Sequence, residues 1–369
     1  MHVFSEMMSY HHEQVVFGYD PEAGLRAIIA IHDTSLGPAL GGTRMWPYRS
    51  EAEALNDVLR LSRGMTAKAA VAGLNLGGGK GVIIGDASAD KNEILFRAYG
   101  RLVQGLHGRF ITAEDVGTEV RDMEWVRAET PYVVGTPRVL GGSGDLSPFT
   151  ARGVYYGMQA CIEEVFGTSS LDGMRIAIQG LGHVGMHLAE LLAEHDVTLM
   201  VTDLHAENVQ LAAEKFHAVP VGLADIYSVD ADIFAPCALG GILNDETIPQ
   251  LQAKIVAGAA NNQLQEEDKH GAILKDKGIL YAPDYVINAG GLINVAHEIE
   301  GYHRQYVLEQ VETIYGILKR VIQMAKVEDI PTHLASERMA AQRIEQVAQL
   351  RRKFVTVPAV PYTYGRMFR

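Results

Sequence analysis

Lys80 follows the run Gly77-Gly78-Gly79 and precedes Val82-Ile83-Ile84; Lys68 lies upstream, and Asp115 closes Phe110-Ile111-Thr112-Ala113-Glu114. Two amines and a carboxylate in glycine-lined, apolar surroundings are the set most able to do chemistry. The glycines let a substrate come flush against backbone while Lys80 points into a cleft with Lys68 at its wall. A phosphate-loop reading of Gly77 to Lys80 fails on spacing. Such a loop needs more widely spaced glycines, a Ser or Thr after the lysine and a helix to follow, whereas Gly81 and a strand pattern follow here.

A second glycine motif, Gly180-Leu181-Gly182-His183-Val184-Gly185, has G-x-G-x-x-G spacing. Its surroundings give it weight: Arg175 to Gln179 read as a buried strand, Met186 to Leu192 as the following helix, and Asp203 falls about twenty residues on. Gly180 permits the tight turn, Gly182 lets a diphosphate approach the backbone, and Gly185 lets helix and strand pack closely. A carboxylate at Asp203 accepts hydrogen bonds from a free ribose 2′-hydroxyl and repels a 2′-phosphate, so the expected cofactor is NAD rather than NADP; His205 nearby opposes this if it becomes cationic.

The elements that must hold these residues are legible from periodicity. Ala54, Leu55, Val58, Leu59 and Leu61 recur near helical spacing from Ser50 to Val71, so Met65 and Lys68 sit near a helix C-terminus. Asp90, with Glu93 three later, predicts the N-cap of a second helix through Leu106, stopped by Gly105 and Gly108. Phe110 to Glu114 reads as a strand running into a loop at Asp115. Gly135, Pro137, Gly141-Gly142-Ser143-Gly144 and Pro148 mark a hinge, and a helix over 150–166 follows it. Strands at 175–179, 197–202, 233–235, 255–259 and 279–282 alternate with helices, the pattern of a parallel, doubly wound sheet. From Gly291 a long helical run reaches Ile322, breaks at Pro331 and resumes over 334–354. The tail 355–369 reads as a frayed end, with a packed arm at a subunit contact as the other reading.

Composition sets the class. The chain has 369 residues, 47% of them hydrophobic, and a net charge of −13, which fits a two-domain globular protein and disfavours nucleic acid or anionic membrane as partner. Small-molecule substrates remain the expected partners. Cys161 and Cys237 match no metal-ligand spacing, and neither do the histidines, His11-His12 included, so no metal is expected. No targeting segment or transmembrane run is visible, which makes the cytoplasm the expected compartment.

Five segments carry a family resemblance. Thr66-Ala67-Lys68-Ala69-Ala70, Gly73 to Lys80 and Thr112-Ala113-Glu114-Asp115-Val116-Gly117-Thr118 resemble motifs of the glutamate/leucine/phenylalanine/valine dehydrogenases, and Gly258-Ala259-Ala260-Asn261-Asn262 and Asn288-Ala289-Gly290-Gly291 follow in order. The resemblance is nearest to the leucine-specific members. It implies an α/β protein: an N-terminal α/β domain for substrate and oligomerisation (1–135 with 330–369) and a Rossmann-type NAD-binding domain (145–329), the C-terminal helices returning to the first. It also implies NAD-dependent oxidative deamination of an L-amino acid, domain closure during the reaction, and a homo-oligomer larger than a dimer, an octamer being one form.

Residue by residue, the resemblance makes Lys68 the holder of the substrate α-carboxylate, Lys80 the lysine that activates water and Asp115 the proton carrier at the amino nitrogen. It places Asn262 near the amine, Thr150 near the nicotinamide amide, and Gly41-Gly42 beside the substrate. Leu40 and Val295 stand where glutamate-specific members carry a lysine and a serine, so the pocket is expected to be apolar; burying a second carboxylate there without a cation costs several kcal/mol, roughly. Ala113 matches leucine members and Leu292 phenylalanine members, while Gly81 replaces a frequent Thr. The leading expectation is a branched-chain amino-acid dehydrogenase. An aromatic amino-acid dehydrogenase and a catalytically silent NAD-binding sensor are the alternatives.

Overall fold

The computed structural model describes residues 3–353, so the sequence reading of the tail 355–369 lies outside the described residues. The chain divides into two compact units, 1–145 with 294–304 and 340–369, and 146–293 with 305–339.

The first unit is built on a mixed five-stranded sheet. After α1 (Val3–Tyr10) come β1 (Gln14–Asp20), β2 (Leu25–Asp33), β3 (Ala39–Trp46), α2 (Glu51–Val71), β4 (Gly77–Ile84), α3 (Glu93–Gln104), β5 (Phe110–Glu114) and α4 (Val120–Arg127). The strand order is β1-β2-β4-β3-β5, with β3 parallel to both β4 and β5. One face carries Ala39, Met45, Ile83 and Phe110 against Phe96, Tyr99 and Val103 of α3. The other buries Ala54, Leu55, Val58 and Leu59 of α2 against Ile28, Ala30 and Val82. Each such fully buried Val or Leu stabilises by about 1.5–3 kcal/mol.

Local capping explains the helix starts. The Ser50 side chain accepts from the Glu53 backbone N–H at 3.1 Å, starting α2 as its periodicity predicts. The N-cap of α3 is Asn92, not Asp90: the Asn92 side chain accepts from Leu95 N at 2.9 Å, while Asp90 Oδ2 is engaged by Asp86 N at 2.8 Å in the preceding turn. Both residues can cap, and the tighter local turn decides which is free to do so.

The second unit opens with α5 (Ser147–Phe166), three residues earlier than expected because Pro148 fits the first helical turn. There follow β6 (Arg175–Gln179), α6 (His183–Leu192), β7 (Thr198–Thr202), α7 (Ala206–Phe216), β8 (Val219–Pro220), β9 (Ile233–Pro236), β10 (Ile255–Val256), α8 (Glu267–Asp276), β11 (Leu280–Tyr281) and α9 (Asp284–Ile287). All pairings are parallel and the order is β11-β10-β9-β6-β7-β8. Counted from β6, that is the doubly wound order 6-5-4-1-2-3 of a dinucleotide-binding domain.

The helical run after Gly291 is two helices rather than one. α10 (Gly290–Ala296) ends before α11 (Arg304–Glu328), and Gly301, at φ +109°, interrupts the pattern where an L side chain is disfavoured. α12 (Thr332–Lys353) enters the first unit at Ala340. There the Arg343 guanidinium donates to the carbonyls of Gly73 at 2.9 Å and Leu74 at 2.6 Å, capping the C-terminal end of α2. No helix among the described residues is long and apolar enough to cross a membrane.

Candidate active site

Strand alternation sends Lys80 to the sheet face that α2 covers, since Lys80 lies opposite Ala30 and is two residues from Val82. Its Nζ lies 3.0 Å from Asp115 Oδ1, and the lysine side chain is only 5% exposed. Asp115 Oδ2 accepts from Arg44 Nε at 3.0 Å, and Arg44 Nη1 donates to Asp57 Oδ2 at 3.0 Å. The same Asp57 oxygen accepts from the Tyr48 hydroxyl at 2.7 Å. Burial pushes the Asp115 carboxyl upward, but Lys80 and Arg44 together outweigh it and hold the group below the usual aspartate range. Glu114, one residue earlier, is pushed up to about 7 by burial and then by Asp145, Glu119 and other carboxylates.

Asp115 is fixed from behind as well. Its backbone N–H donates to Thr118 Oγ1 at 2.8 Å, and that hydroxyl donates to Thr43 O at 2.8 Å. Gly117 turns the chain at φ +78°, where an added Cβ would lie 2.0 Å from Met45 O. The loop after β5 is therefore pinned to β3, and the carboxylate leaves it in one direction.

Close approach explains the glycines around Lys80. A Cβ on Gly78 would lie 2.1 Å from Thr66 N, so the backbone of α2 rests directly on β4 and carries Met65 and Lys68 on that same helix turn. A Cβ on Gly41 would lie 1.8 Å from Gly79 O, and one on Gly42 2.5 Å from Glu114 O. Leu40 and Ala113 are buried beside them, Leu40 opposite Gly78 and Ala113 opposite Gly42. Val295 is buried in α10 and belongs to the first unit, whereas Leu292, also buried, belongs to the second.

On the opposite face, Gly81 has a specific cause. A Cβ there would meet the Tyr99 hydroxyl at 2.1 Å and Thr43 Oγ1 at 2.7 Å. Thr43 Oγ1 in turn lies 2.6 Å from both the Tyr99 hydroxyl and Thr112 Oγ1, so three buried hydroxyls satisfy one another where a residue-81 side chain would stand. Gly81→Thr alone should cost about 2 kcal/mol in denaturant unfolding through overpacking. Gly81→Thr with Tyr99→Phe should recover part of that loss, and strictly additive costs would show that the hydroxyl is not the obstacle.

In the second unit the turn after β6 has the geometry of a dinucleotide site. Gly180 adopts φ +99°, and an added Cβ would lie 2.7 Å from the Ala238 Cβ; one on Gly185 would lie 2.0 Å from Gly180 O. Gly182, the N-cap of α6, has nothing within 4 Å of its Cβ position, leaving the amides at the helix start open to an anion. His183 and Val184 form the first turn of that helix. Asp203 follows the end of β7, accepting from Leu181 N at 2.6 Å and His205 N at 2.8 Å. Donor and acceptor types and the open helix start fit a nicotinamide dinucleotide.

Residues 12–132 match the Glu/Leu/Phe/Val dehydrogenase dimerisation domain, and residues 141–206 and 200–352 match the Glutamate/Leucine/Phenylalanine/Valine dehydrogenase domain. The chain belongs to this family. The leucine dehydrogenase of Geobacillus stearothermophilus is 57% identical over 355 residues, 96% of each chain. The phenylalanine dehydrogenase of Lysinibacillus sphaericus is 51% identical over 91% of this chain and 89% of its own. The crystal structure of L-tryptophan dehydrogenase from Nostoc punctiforme matches with TM-score 0.83 and 49% identity, over 94% of this chain and 99% of that one.

Within this dehydrogenase the structure unites Lys80 and Asp115 directly and sets Lys68 and Met65 on the helix above them. Thr150 lies in the first turn of α5, its hydroxyl donating to Leu146 O at 3.2 Å. Gly290 and Gly291 let α10 touch that turn, since Cβ atoms there would lie 2.0 Å from Phe149 O and 2.7 Å from Thr150 Oγ1. Asn262 is exposed at φ +52° in the loop after β10, and Asn288 holds that loop by donating to Ala259 O at 3.0 Å and Asn261 Oδ1 at 2.7 Å. Arg44 and Asp57 are the residues that reading by motif passes over. Alternation along β3 offers the signal for Arg44, which is two residues past Gly42. Cys237 is half-buried, its thiol pushed up to about 11 by burial, so it offers no thiolate. His12 hydrogen-bonds Ser62 through Nε2 at 2.7 Å and ties α2 to the start of β1.

Proposed function

We propose that this chain catalyses the reversible, NAD-dependent oxidative deamination of L-leucine and other branched-chain L-amino acids to 2-oxo acids with release of ammonium. The observation that carries the reading is the buried Lys80–Asp115 pair, held beneath a helix that presents a second lysine. The identity with leucine dehydrogenases over nearly the whole chain supports the substrate.

Lys68 holds the α-carboxylate. Asp115 takes the proton from the substrate ammonium, and Lys80 then deprotonates the water that adds to the iminium carbon. Asp115 returns a proton to nitrogen; as ammonia leaves, the carbinolamine hydroxyl gives its proton to the freed Asp115 carboxylate and the carbonyl forms. Gly41 and Gly42 would present backbone to the substrate, Asn262 would contact its amine and Thr150 the nicotinamide carboxamide. Gly180, Gly182, His183, Val184 and Gly185 would hold the diphosphate and Asp203 the ribose. When bound, the nicotinamide ring supplies the acceptor for the hydride leaving Cα. Leu40, Ala113 and Val295 of the first unit and Leu292 of the second are the residues we assign to the amino-acid side chain, and the working form is a homo-oligomer in the cytoplasm.

A panel of L-amino acids with NADH absorbance tests the reading. Leucine, isoleucine and valine should lead, and glutamate should fall behind by about a thousandfold in kcat/KM because its second carboxylate finds no cation in the pocket. Leu292, the residue type at which phenylalanine members are matched, favours an aromatic substrate as the second reading. Phenylalanine or tryptophan at the head of the panel would establish it. No amino-acid-dependent NADH formation at all would leave a binding protein.

Cofactor choice follows from Asp203, whose carboxylate faces a 2′-phosphate with like charge. NAD should exceed NADP in kcat/KM by about a hundredfold, equivalent to roughly 2.7 kcal/mol. Comparable efficiencies would assign the ribose contact elsewhere.

A further inference from the structure

We propose that Arg44 is a positioning residue that sets the protonation of the Lys80–Asp115 pair, and that Asp57 is the strut that aims it. The proposal rests on the catalytic reading of that pair and extends it to two residues that stand behind it.

The geometry is a chain of alternating charges. Lys80 Nζ, the Asp115 carboxylate, the Arg44 guanidinium and the Asp57 carboxylate follow one another at 3.0 Å per step. Side-chain exposure is 5% at Lys80, 15–23% at the next three and 53% at Arg60, which closes the chain on Asp57 Oδ1 at 3.3 Å. Arg44 uses Nε for Asp115 and Nη1 for Asp57, so the planar guanidinium is held along two edges and cannot swing. Both Asp57 oxygens are engaged, one by Arg44 and the Tyr48 hydroxyl, the other by Arg60. The strut therefore joins β3 to α2, and its outer end lines a surface hollow of about 590 Å³ with Tyr48, Glu53 and Arg60.

The chemical consequence concerns the shared carboxylate. With Lys80 as sole partner, Asp115 would direct its whole charge at one ammonium. Arg44 takes a share, and it does so with a group that cannot lose its proton. Withdrawing that fixed positive charge lets the pair take up a proton at higher pH, whichever partner carries it. Among the described residues, the charged or titratable groups on the elements packed against the pair include Glu114 beside it on β5, Asp57, Arg60 and Lys68 on α2, and Tyr48 after β3.

Asp57 separates a strut from a bystander by sign. As a bare negative charge, its loss would move proton uptake by the pair to lower pH. As the strut, its loss frees Arg44 and moves uptake to higher pH. Two pH profiles on the full-length protein read this: kcat for leucine oxidation, and the rate of Lys80 acetylation by acetic anhydride followed by peptide mass spectrometry. Arg44→Gln and Asp57→Ala should each move the acid limb and the acetylation midpoint upward by about one pH unit, a tenfold loss at a fixed pH on the limb. Arg44→Lys, which keeps a charge, should stay within about 0.3 unit of the parent. An unmoved midpoint in Arg44→Gln, or a downward shift in Asp57→Ala, overturns the proposal; if Arg44→Gln does not fold, the direction in Asp57→Ala decides it. Parental turnover in Asp115→Asn would instead remove the catalytic reading, and the acetylation curves would still report on Arg44.

Discussion

Lys80→Ala should lower turnover by about four orders of magnitude, the upper range for a positioned acid–base group, while dinucleotide affinity stays at the parental level. The two effects separate because Lys80 sits on β4 of the first unit and the dinucleotide motif on β6 and α6 of the second. The variant should still fold. Asp115, having lost its 3.0 Å partner, keeps the Arg44 guanidinium at the same distance, so no buried carboxylate is left without a counter-charge. Lys80→Arg should not restore activity, because a guanidinium at that position stays protonated and cannot serve as base. Steady-state rates with leucine, alongside calorimetric titration of NAD, check both halves. Near-parental turnover in Lys80→Ala would take the base role away from this residue.

Gly41→Ala is expected to have the largest effect on folding, a loss of about 4 kcal/mol or more, enough to leave little folded protein. The added methyl would be placed 1.8 Å from the Gly79 carbonyl oxygen, backbone against backbone, where no rotamer change can relieve the overlap. β3 and β4 would have to part at the pairs flanking Lys80, namely Leu40 with Gly78 and Thr43 with Gly81. Gly182→Ala gives the contrast. Its Cβ position has nothing within 4 Å and its φ is −67°, so stability should hold within about 0.5 kcal/mol while dinucleotide affinity falls, since on the proposed reading the methyl would stand where the diphosphate binds. Thermal and urea unfolding of the two variants tests the pair, and a Gly41→Ala protein as stable as its parent would mean that the strands can separate without cost.

Much of the second unit was legible because its signals are local. A strand, G-x-G-x-x-G and a helix are contiguous, and parallel strands buried on both faces read as short apolar runs. The departures have local causes too. Asn92 caps α3 because Asp90 is taken by the turn before it, and α10 and α11 separate at a glycine with positive φ whose neighbours, taken by period alone, continue the helix. Gly81 reads as a plain departure from a family pattern, yet its reason is a tyrosine hydroxyl eighteen positions away along the chain.

The family resemblance carried the reaction class; the sequence by itself determined the two glycine motifs, the amines and carboxylate that could do the chemistry, and the alternation that builds a doubly wound sheet. Those follow from residue type and short spacing, which the chain carries wherever it folds. Only the tertiary structure decided that Lys80 and Asp115 form one buried pair, that Arg44 and Asp57 stand behind it, and that Gly41, Gly78 and Gly81 are excluded from bearing side chains by particular atoms. Strand register and the path of α2 across the sheet bring these groups together from four separate segments, and contacts between distant segments are fixed by packing that no spacing along the chain encodes.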